Sequence, residues 1–287
     1  MTATVHRSYL YVPAHKGRMV EKAYASEADA VVLDLEDAVP PDSKESARRA
    51  AAEILSAAPP KPTYVRVNSV AGGLARDDVR AVAGPGLAAV RLPKVEHPQQ
   101  IREAARWLEE AGCDAGVQIL VESARGVEAL GELAHATPRL ERIGLGENDL
   151  RADLRTDFDG PTMDAARVRC VFVSRAAGLV SPAMSVYPRL DDPEGLRRSC
   201  LDGRGMGYLG RFAVHPGQLP VINEVFTPSP EEVADARAVL AAAASRPDSG
   251  SSVFVTDDGR TVAPPLVAQA RAVLTMAGAI SAGAPAS

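Results

Sequence analysis

The chain has 287 residues, 46% of them hydrophobic and 24% charged, with a formal net charge of −5. One α/β barrel of about 250 residues plus a C-terminal extension accounts for that length better than two unrelated domains. The acidic balance argues against nucleic acid as a partner, and no window approaches the ~18 consecutive apolar residues of a membrane span.

Met1 to Leu10 lacks the apolar stretch of a secretory signal. Cys113, Cys170 and Cys200 are odd in number and far apart, so they make neither a disulfide framework nor a zinc site. Reduced, mostly buried thiols fit a cytoplasmic protein.

In chain order, Ser8 to Pro13 reads as a strand and Arg18 to Ala28 as a helix. Ala30 to Leu35 is nearly all apolar, as a parallel strand buried on both faces should be. Ser43 is placed to cap an Ala-rich helix reaching Ala57, which Pro59 to Pro62 stops. The pattern then repeats: strand Thr63 to Asn68, helix Leu74 to Ala83, strand Ala88 to Val95, helix Pro98 to Ala111. Strand Val117 to Glu122, helix Gly126 to Ala136, strand Arg142 to Gly146 and a helix near Thr162 to Gly178 follow. Ser181 to Tyr187 and Arg211 to His215 are the last two strands, with a helix from Pro193 to Gly207 between them.

About eight β-α units in this order predict a closed (β/α)8 TIM barrel over residues 1–229. The doubly wound alternative lacks its G-x-G-x-x-G fingerprint after the first strand. Residues 230–287 read as an extension. It has a helix from Glu231 to Ser245, a polar linker from Arg246 to Ser252, a hairpin over Val253 to Val262 turning at Asp258-Gly259, and a helix from Pro265 to Ala277. Such a segment could serve as a lid or an intersubunit arm.

Charged and polar residues gather at the C-terminal ends of the predicted strands. Asp34, Glu36 and Asp37 close the second. Arg66 and Asn68 close the third, and Arg91 and Lys94 lie in and after the fourth. Glu122 closes the fifth, Glu147, Asn148 and Asp149 follow the sixth, and His215 closes the eighth. Packing alone would not place them so, because an unpaired buried charge costs several kcal/mol. In a barrel these ends share the face that carries the active site.

Glu122 and Asp149 suit Mg²⁺ or Mn²⁺, which take a few carboxylates and keep positions for water and substrate. Salt bridges to Arg66, Arg91 or Arg125 are the plain alternative. Arg66 could clamp a substrate carboxylate or stabilise an enolate, or bridge to Glu36 or Asp37. His15 and His215 could belong to the site, although a hydrogen-bonded structural histidine is the simpler reading. His6, His97 and His135 look like surface or helix positions. The signatures of serine hydrolases, P-loop NTPases, zincins and dithiol enzymes are absent.

The same residues carry a resemblance. Arg7 to Pro13 resembles the "RSxLFVP" opening of the citrate lyase β-subunit family, and Leu33 to Val39 its "LDLEDAV". Lys44 and Ala47-Arg48 fit its "K…AR", Val65 to Asn68 its "VRVN", and Leu92 to Glu96 its "LPKVE". Glu122 to Val127 resembles "ETAxGV", Gly144 to Leu154 "GxxDLxxDL", and Ala213 to Gln218 "xIHPxQ". The similarity extends to about Pro230. It implies an HpcH/HpaI-type, Mg²⁺-dependent barrel of the kind that includes citryl-, malyl- and citramalyl-CoA lyases, commonly a trimer or hexamer.

By that resemblance Glu122 and Asp149 would hold the metal. Arg66 would bind the substrate carboxylate or thioester oxygen, with Glu36 and Asp37 beside it in the catalytic group. Lys94, Arg7, Lys16 and Arg18 would contact substrate or CoA. Relatives often carry "GxMxDxP" in the extension, its Asp serving as acid/base in a neighbouring subunit. Here Gly259 to Pro265 puts Ala263 at that place, with Asp257 and Asp258 as possible substitutes. A carbon–carbon lyase acting on a hydroxy acid or its CoA thioester is the expected activity. A non-CoA 4-hydroxy-2-oxo acid aldolase, an acyl-CoA thioesterase or malate-synthase-like enzyme, and a non-catalytic acyl-CoA-binding subunit are the alternatives.

Overall fold

The structure, a computed structural model, describes residues 5–245, 253–255, 259 and 261–283. The Arg246 to Ser252 linker and both Asp257 and Asp258 lie outside them. The chain divides into two compact units, Met1–Asn223 and Glu224–Ser287.

The first unit is built on seven parallel strands: β1 (Ser8–Pro13), β2 (Ala30–Asp34), β3 (Thr63–Arg66), β4 (Leu87–Leu92), β5 (Gly116–Val121), β6 (Leu140–Leu145) and β7 (Arg211–Ala213). The sheet order is β6-β5-β4-β3-β2-β1-β7. Helices α1 (Gly17–Ala25), α2 (Lys44–Ser56), α3 (Ala75–Val82), α4 (Pro98–Glu110) and α5 (Ala124–Leu133) connect the first six strands in turn. Then come α6 (Glu147–Leu154), α7 (Pro161–Ala176), α8 (Pro193–Met206) and, after β7, α9 (Leu219–Phe226), which contains the boundary between the units. β2 is buried at all five positions, which requires cover on both faces.

The closed eight-stranded barrel expected from the sequence is therefore corrected to an open, curled seven-stranded sheet. The curl is evident from side chains that meet across it. Arg142 on β6 donates to the Tyr9 hydroxyl on β1, although four strands lie between them. The missing strand is Ser181 to Tyr187, which makes a single bridge, Met184 to Arg211 on β7. Toward β6 its ladder begins, with Val180 N–H donating to the Glu141 carbonyl at 3.0 Å. The next donor in a parallel ladder is two residues on, and that residue is Pro182, which has no N–H. The Ile143 carbonyl that it would have met is approached instead by the Cys170 thiol at 3.9 Å.

Glu147 to Asp149, to which the sequence assigned no element, form the first turn of α6, which buries Leu150. Ser43 gives no side-chain cap to α2; it ends a short 3₁₀ turn, Pro41–Ser43.

Strand alternation sends every second side chain to the concave face. There Tyr9, Ala30, Val32, Tyr64, Ala89, Ala183 and Phe212 form one apolar cluster. Buried Arg142 and His6 meet the Tyr9 and Tyr64 hydroxyls at one end of that cluster. The other, toward the C-terminal strand ends, opens into a cavity.

In the second unit α10 (Pro230–Ala244) starts with a capping box between Ser229 and Glu232. A short antiparallel pair, β8 (Phe254–Val255) and β9 (Thr261–Val262), leads to α11 (Pro264–Gly283). Ala236, Val239, Val262 and Ala270 form its small core. The Ala263 carbonyl accepts from Leu266 and Val267 at 2.9 and 3.2 Å, so Ala263 stands immediately before α11 as its capping residue.

Candidate active site

A cavity of about 240 Å³ opens at the C-terminal ends of the strands. Its lining includes Tyr11, Asp34, Asp37, Arg66, Arg91, Glu122, Asn148, Asp149, Ser185 and Phe212. Each functional side chain is fixed by strand register. Asp34 ends β2 opposite Arg66, which ends β3, and Arg66 lies opposite Arg91 on β4. Glu122 follows β5 directly, and Asp149 sits in the first turn of α6.

Asp34 organises one wall. Its two oxygens accept the Glu36 and Ala38 N–H groups, each at 3.0 Å, and take Arg66 bidentately through Nε at 2.8 Å and Nη2 at 2.7 Å. Lys44 Nζ holds the following turn through the Leu35 and Glu36 carbonyls at 2.8 and 2.7 Å. Arg66 Nη1 then reaches Asp37 at 3.2 Å and lies 3.1 Å from Glu36 Oε2. Lys94, in the left-handed conformation at φ 55°, donates to Glu36 Oε1 at 2.9 Å and lies 3.6 Å from Asp37. These carboxylates raise the pKa of both cations further.

The opposite wall is acidic and unsatisfied. Glu122 is buried, and its Oε2 has no hydrogen-bond partner among the described residues. Burial, then the Glu36 and Asp149 charges, push its carboxyl up to about 8. A β-carbon at position 146 would lie 2.5 Å from Glu122 Cγ and 2.7 Å from Oε1, so only glycine leaves the carboxyl its place. Glu36 is also raised, by burial, against the pull of Arg66 and Lys94.

Comparison with known proteins decides the family. Residues 7–216 match the sequence pattern of HpcH/HpaI aldolase/citrate lyase. The chain belongs to that family. It is 36% identical over 280 residues to a (3S)-malyl-CoA thioesterase of Cereibacter sphaeroides, covering 96% of each chain. It is 31% identical to the mitochondrial citramalyl-CoA lyase of Homo sapiens, over 96% of this chain and 86% of that one. The CitE protein of Mycobacterium tuberculosis, solved with magnesium, acetoacetate and coenzyme A, superposes with a TM-score of 0.78. That match has 30% identity and covers 96% of this chain and 99% of the other.

The family's motif residues are not all brought together. Arg66, Asp37, Glu122 and Asp149 line the cavity, and Glu36 and Lys94 stand directly behind Arg66. Lys16 and Arg18 are exposed just past the C-terminal end of β1, at the same end of the sheet. Arg7 precedes β1, at the other end. It is held by Asp29, with Nε at 2.9 Å and Nη2 at 2.6 Å, away from the cavity. Glu147 turns inward to Arg167 at 2.6 Å. His215 accepts from the Gly217 N–H at 3.0 Å as a turn cap, and buried His6 meets the Tyr64 hydroxyl at 3.2 Å. Tyr11 falls within the Arg7 to Pro13 motif but carries no charge to mark it, and Ser185 and Phe212 line the cavity with neither charge nor motif; the inward parity of β1 and β7 could have found Tyr11 and Phe212.

Among the described residues no three His, Cys, Asp or Glu side chains form a ready metal cluster. The arrangement suits a hard divalent cation nonetheless. A buried carboxylate with one unpartnered oxygen, a second carboxylate beside it and room for water or substrate oxygens match what Mg²⁺ takes from protein.

Proposed function

We propose that this chain is a Mg²⁺-dependent carbon–carbon lyase acting on a small hydroxy acid carried as a CoA thioester. The observation that carries the reading is Glu122, a buried carboxylate with an unsatisfied oxygen, which lines one cavity together with Asp149 and Arg66. Membership of the family, and the magnesium and coenzyme A bound by the Mycobacterium relative, support it.

Glu122 and Asp149 are the proposed metal ligands. A bound Mg²⁺ would supply Lewis-acid polarisation of the substrate's carboxylate and neighbouring oxygen. Arg66, immobilised by Asp34, keeps its remaining N–H bonds for the thioester oxygen. As the carbon–carbon bond breaks, its electrons pass onto that oxygen as an enolate, which the guanidinium stabilises. The substrate hydroxyl must lose its proton in the same step. Four carboxylates line the cavity: Asp34 is saturated, and Glu122 and Asp149 face the metal position. Asp37, half exposed and beside Arg66 and Lys94, is left to take the proton and return it to the enolate carbon. Glu36 orients Arg66 and Lys94. Lys16, Arg18 and Lys94, at the same end of the sheet, are the proposed CoA contacts.

Thioester hydrolysis is the second reading, favoured by the 36% identity to a malyl-CoA thioesterase. Both are tested together by offering malyl-, citramalyl- and citryl-CoA with Mg²⁺ and measuring the free oxo acid and free CoA thiol separately. A lyase releases the oxo acid with an acyl-CoA and no thiol. A thioesterase releases thiol with the intact hydroxy acid. Neither product from any of the three would overturn both.

A further inference from the structure

Three arginines, Arg91, Arg142 and Arg211, are among the largest fully buried side chains, and no carboxylate pairs with them among the described residues. Two have structural surroundings. Arg142 donates to the Tyr9 hydroxyl and lies over the Tyr9 ring. Arg211 Nη1 contacts Ser199, Cys200 and Met184. Arg91 differs because it lines the cavity. Its Nε donates to the Tyr11 hydroxyl at 3.0 Å and its Nη1 to Gln118 Oε1 at 3.1 Å, both neutral acceptors. Its guanidinium carbon stands 4.0 Å from the Phe212 ring centroid. Nη2 has no hydrogen bond among the described residues, and Arg91 is part of the cavity lining. Position 144 leaves that nitrogen its room, since a β-carbon there would come within 2.9 Å of it.

Arg91 is thus the register partner of Arg66 on the next strand. Arg66 is neutralised by Asp34, Glu36 and Asp37, whereas Arg91 is a buried cation that lines the same cavity. Such a cation is desolvated and calls for an anion. Burial accordingly lowers its pKa.

We propose that Arg91 is a specificity-determining residue that binds a second carboxylate of the substrate's acid half, distinct from the carboxylate held at Glu122 and Asp149. The preferred acid half is then dicarboxylic: the carbon next to the hydroxyl- or oxo-bearing carbon carries a carboxylate rather than hydrogen or an alkyl group. This rests on the metal-site reading above and narrows it.

The test compares malate with 2-hydroxybutyrate by calorimetry on the full chain in Mg²⁺. The two share the chelating head and differ in a distal carboxylate against a methyl. A hydrogen-bonded charge pair is worth about 10- to 100-fold, so malate should bind tighter by that factor. Arg91→Met should erase the preference while leaving 2-hydroxybutyrate affinity unchanged. Equal affinity in the unaltered protein overturns the inference without any variant, as does a preference that survives in Arg91→Met or Arg91→Gln. Binding of neither compound overturns the metal-site reading as well.

Discussion

Asp34 and Glu122 stand at opposite walls of one cavity under opposite conditions. Asp34 has all its acceptor capacity met, by two backbone N–H groups and the Arg66 fork. Asp34→Ala leaves two backbone N–H groups and two Arg66 N–H bonds without their acceptor while Glu36 and Asp37 still face the guanidinium, so it should lower unfolding stability by about 1–3 kcal/mol in urea melts and raise KM through a loosened Arg66. Glu122→Gln removes a charge that burial disfavours, so the fold should be at least as stable in melts without metal while activity is lost. A stability loss with activity kept would contradict the roles assigned. His6 gives the pH dependence. Burial, then the Arg142 charge, lowers its pKa from 6.5 to about 4. Above pH 6.5 it is neutral folded or unfolded. Between about 6.5 and 4 only the unfolded chain takes the proton, so stability falls with acidification. The contribution lost between pH 7 and pH 5 is about 2 kcal/mol, and His6→Phe should remove that part of the difference in paired denaturant curves.

Parallel strands put the functional side chains at one end, and the loops after them set the fine geometry. The strand ends were legible because charges there interrupt apolar runs: Asp34, Arg66, Arg91 and Glu122 all reach the cavity. Arg7 was misleading since it shares a motif with the first strand but stands at that strand's other end, paired to Asp29. The first turn of α6 escaped the sequence pattern because Glu147, Asn148 and Asp149 are polar, and only Leu150 four residues past Gly146 anchors the helix. Gly146 ties the two elements together. Gly146→Ala would drive a β-carbon into the Glu122 carboxyl. The expected outcome is a destabilisation of about 1–3 kcal/mol and a more than tenfold weaker Mg²⁺ affinity, read by melting and calorimetry. Unchanged affinity would show that Glu122 is not held where the metal binds.

At the scale of the whole chain, seven of the eight expected strands form the sheet, and neither the eighth nor the closed ring does. One proline at position 182 withholds the donor that the ladder needs beside β6, and a single-residue chemical fact of that kind is invisible to periodicity. Among the described residues no helix is long and apolar enough to cross a membrane. The two compact units divide after Asn223; a catalytic segment 1–229 followed by an extension 230–287 is a proposal. Every cavity residue lies in the first unit. With Ala263 immediately before α11 there is no carboxylate at that position to act in a neighbouring subunit. A homotrimer or hexamer, if sedimentation shows one, is then expected to matter for CoA binding more than for proton transfer, and dilution below its dissociation constant should raise KM before it lowers kcat.

Glu122 and Asp149 are proposed to hold the divalent metal on which the activity depends. Calorimetric titration of Mg²⁺ into the protein and into folded Glu122→Gln tests it most directly. Saturable one-site binding is expected in the unaltered chain, with about 2.7 kcal/mol of added stability at 100 times the dissociation constant, and neither effect in the variant. Equal Mg²⁺ affinity in both would contradict it.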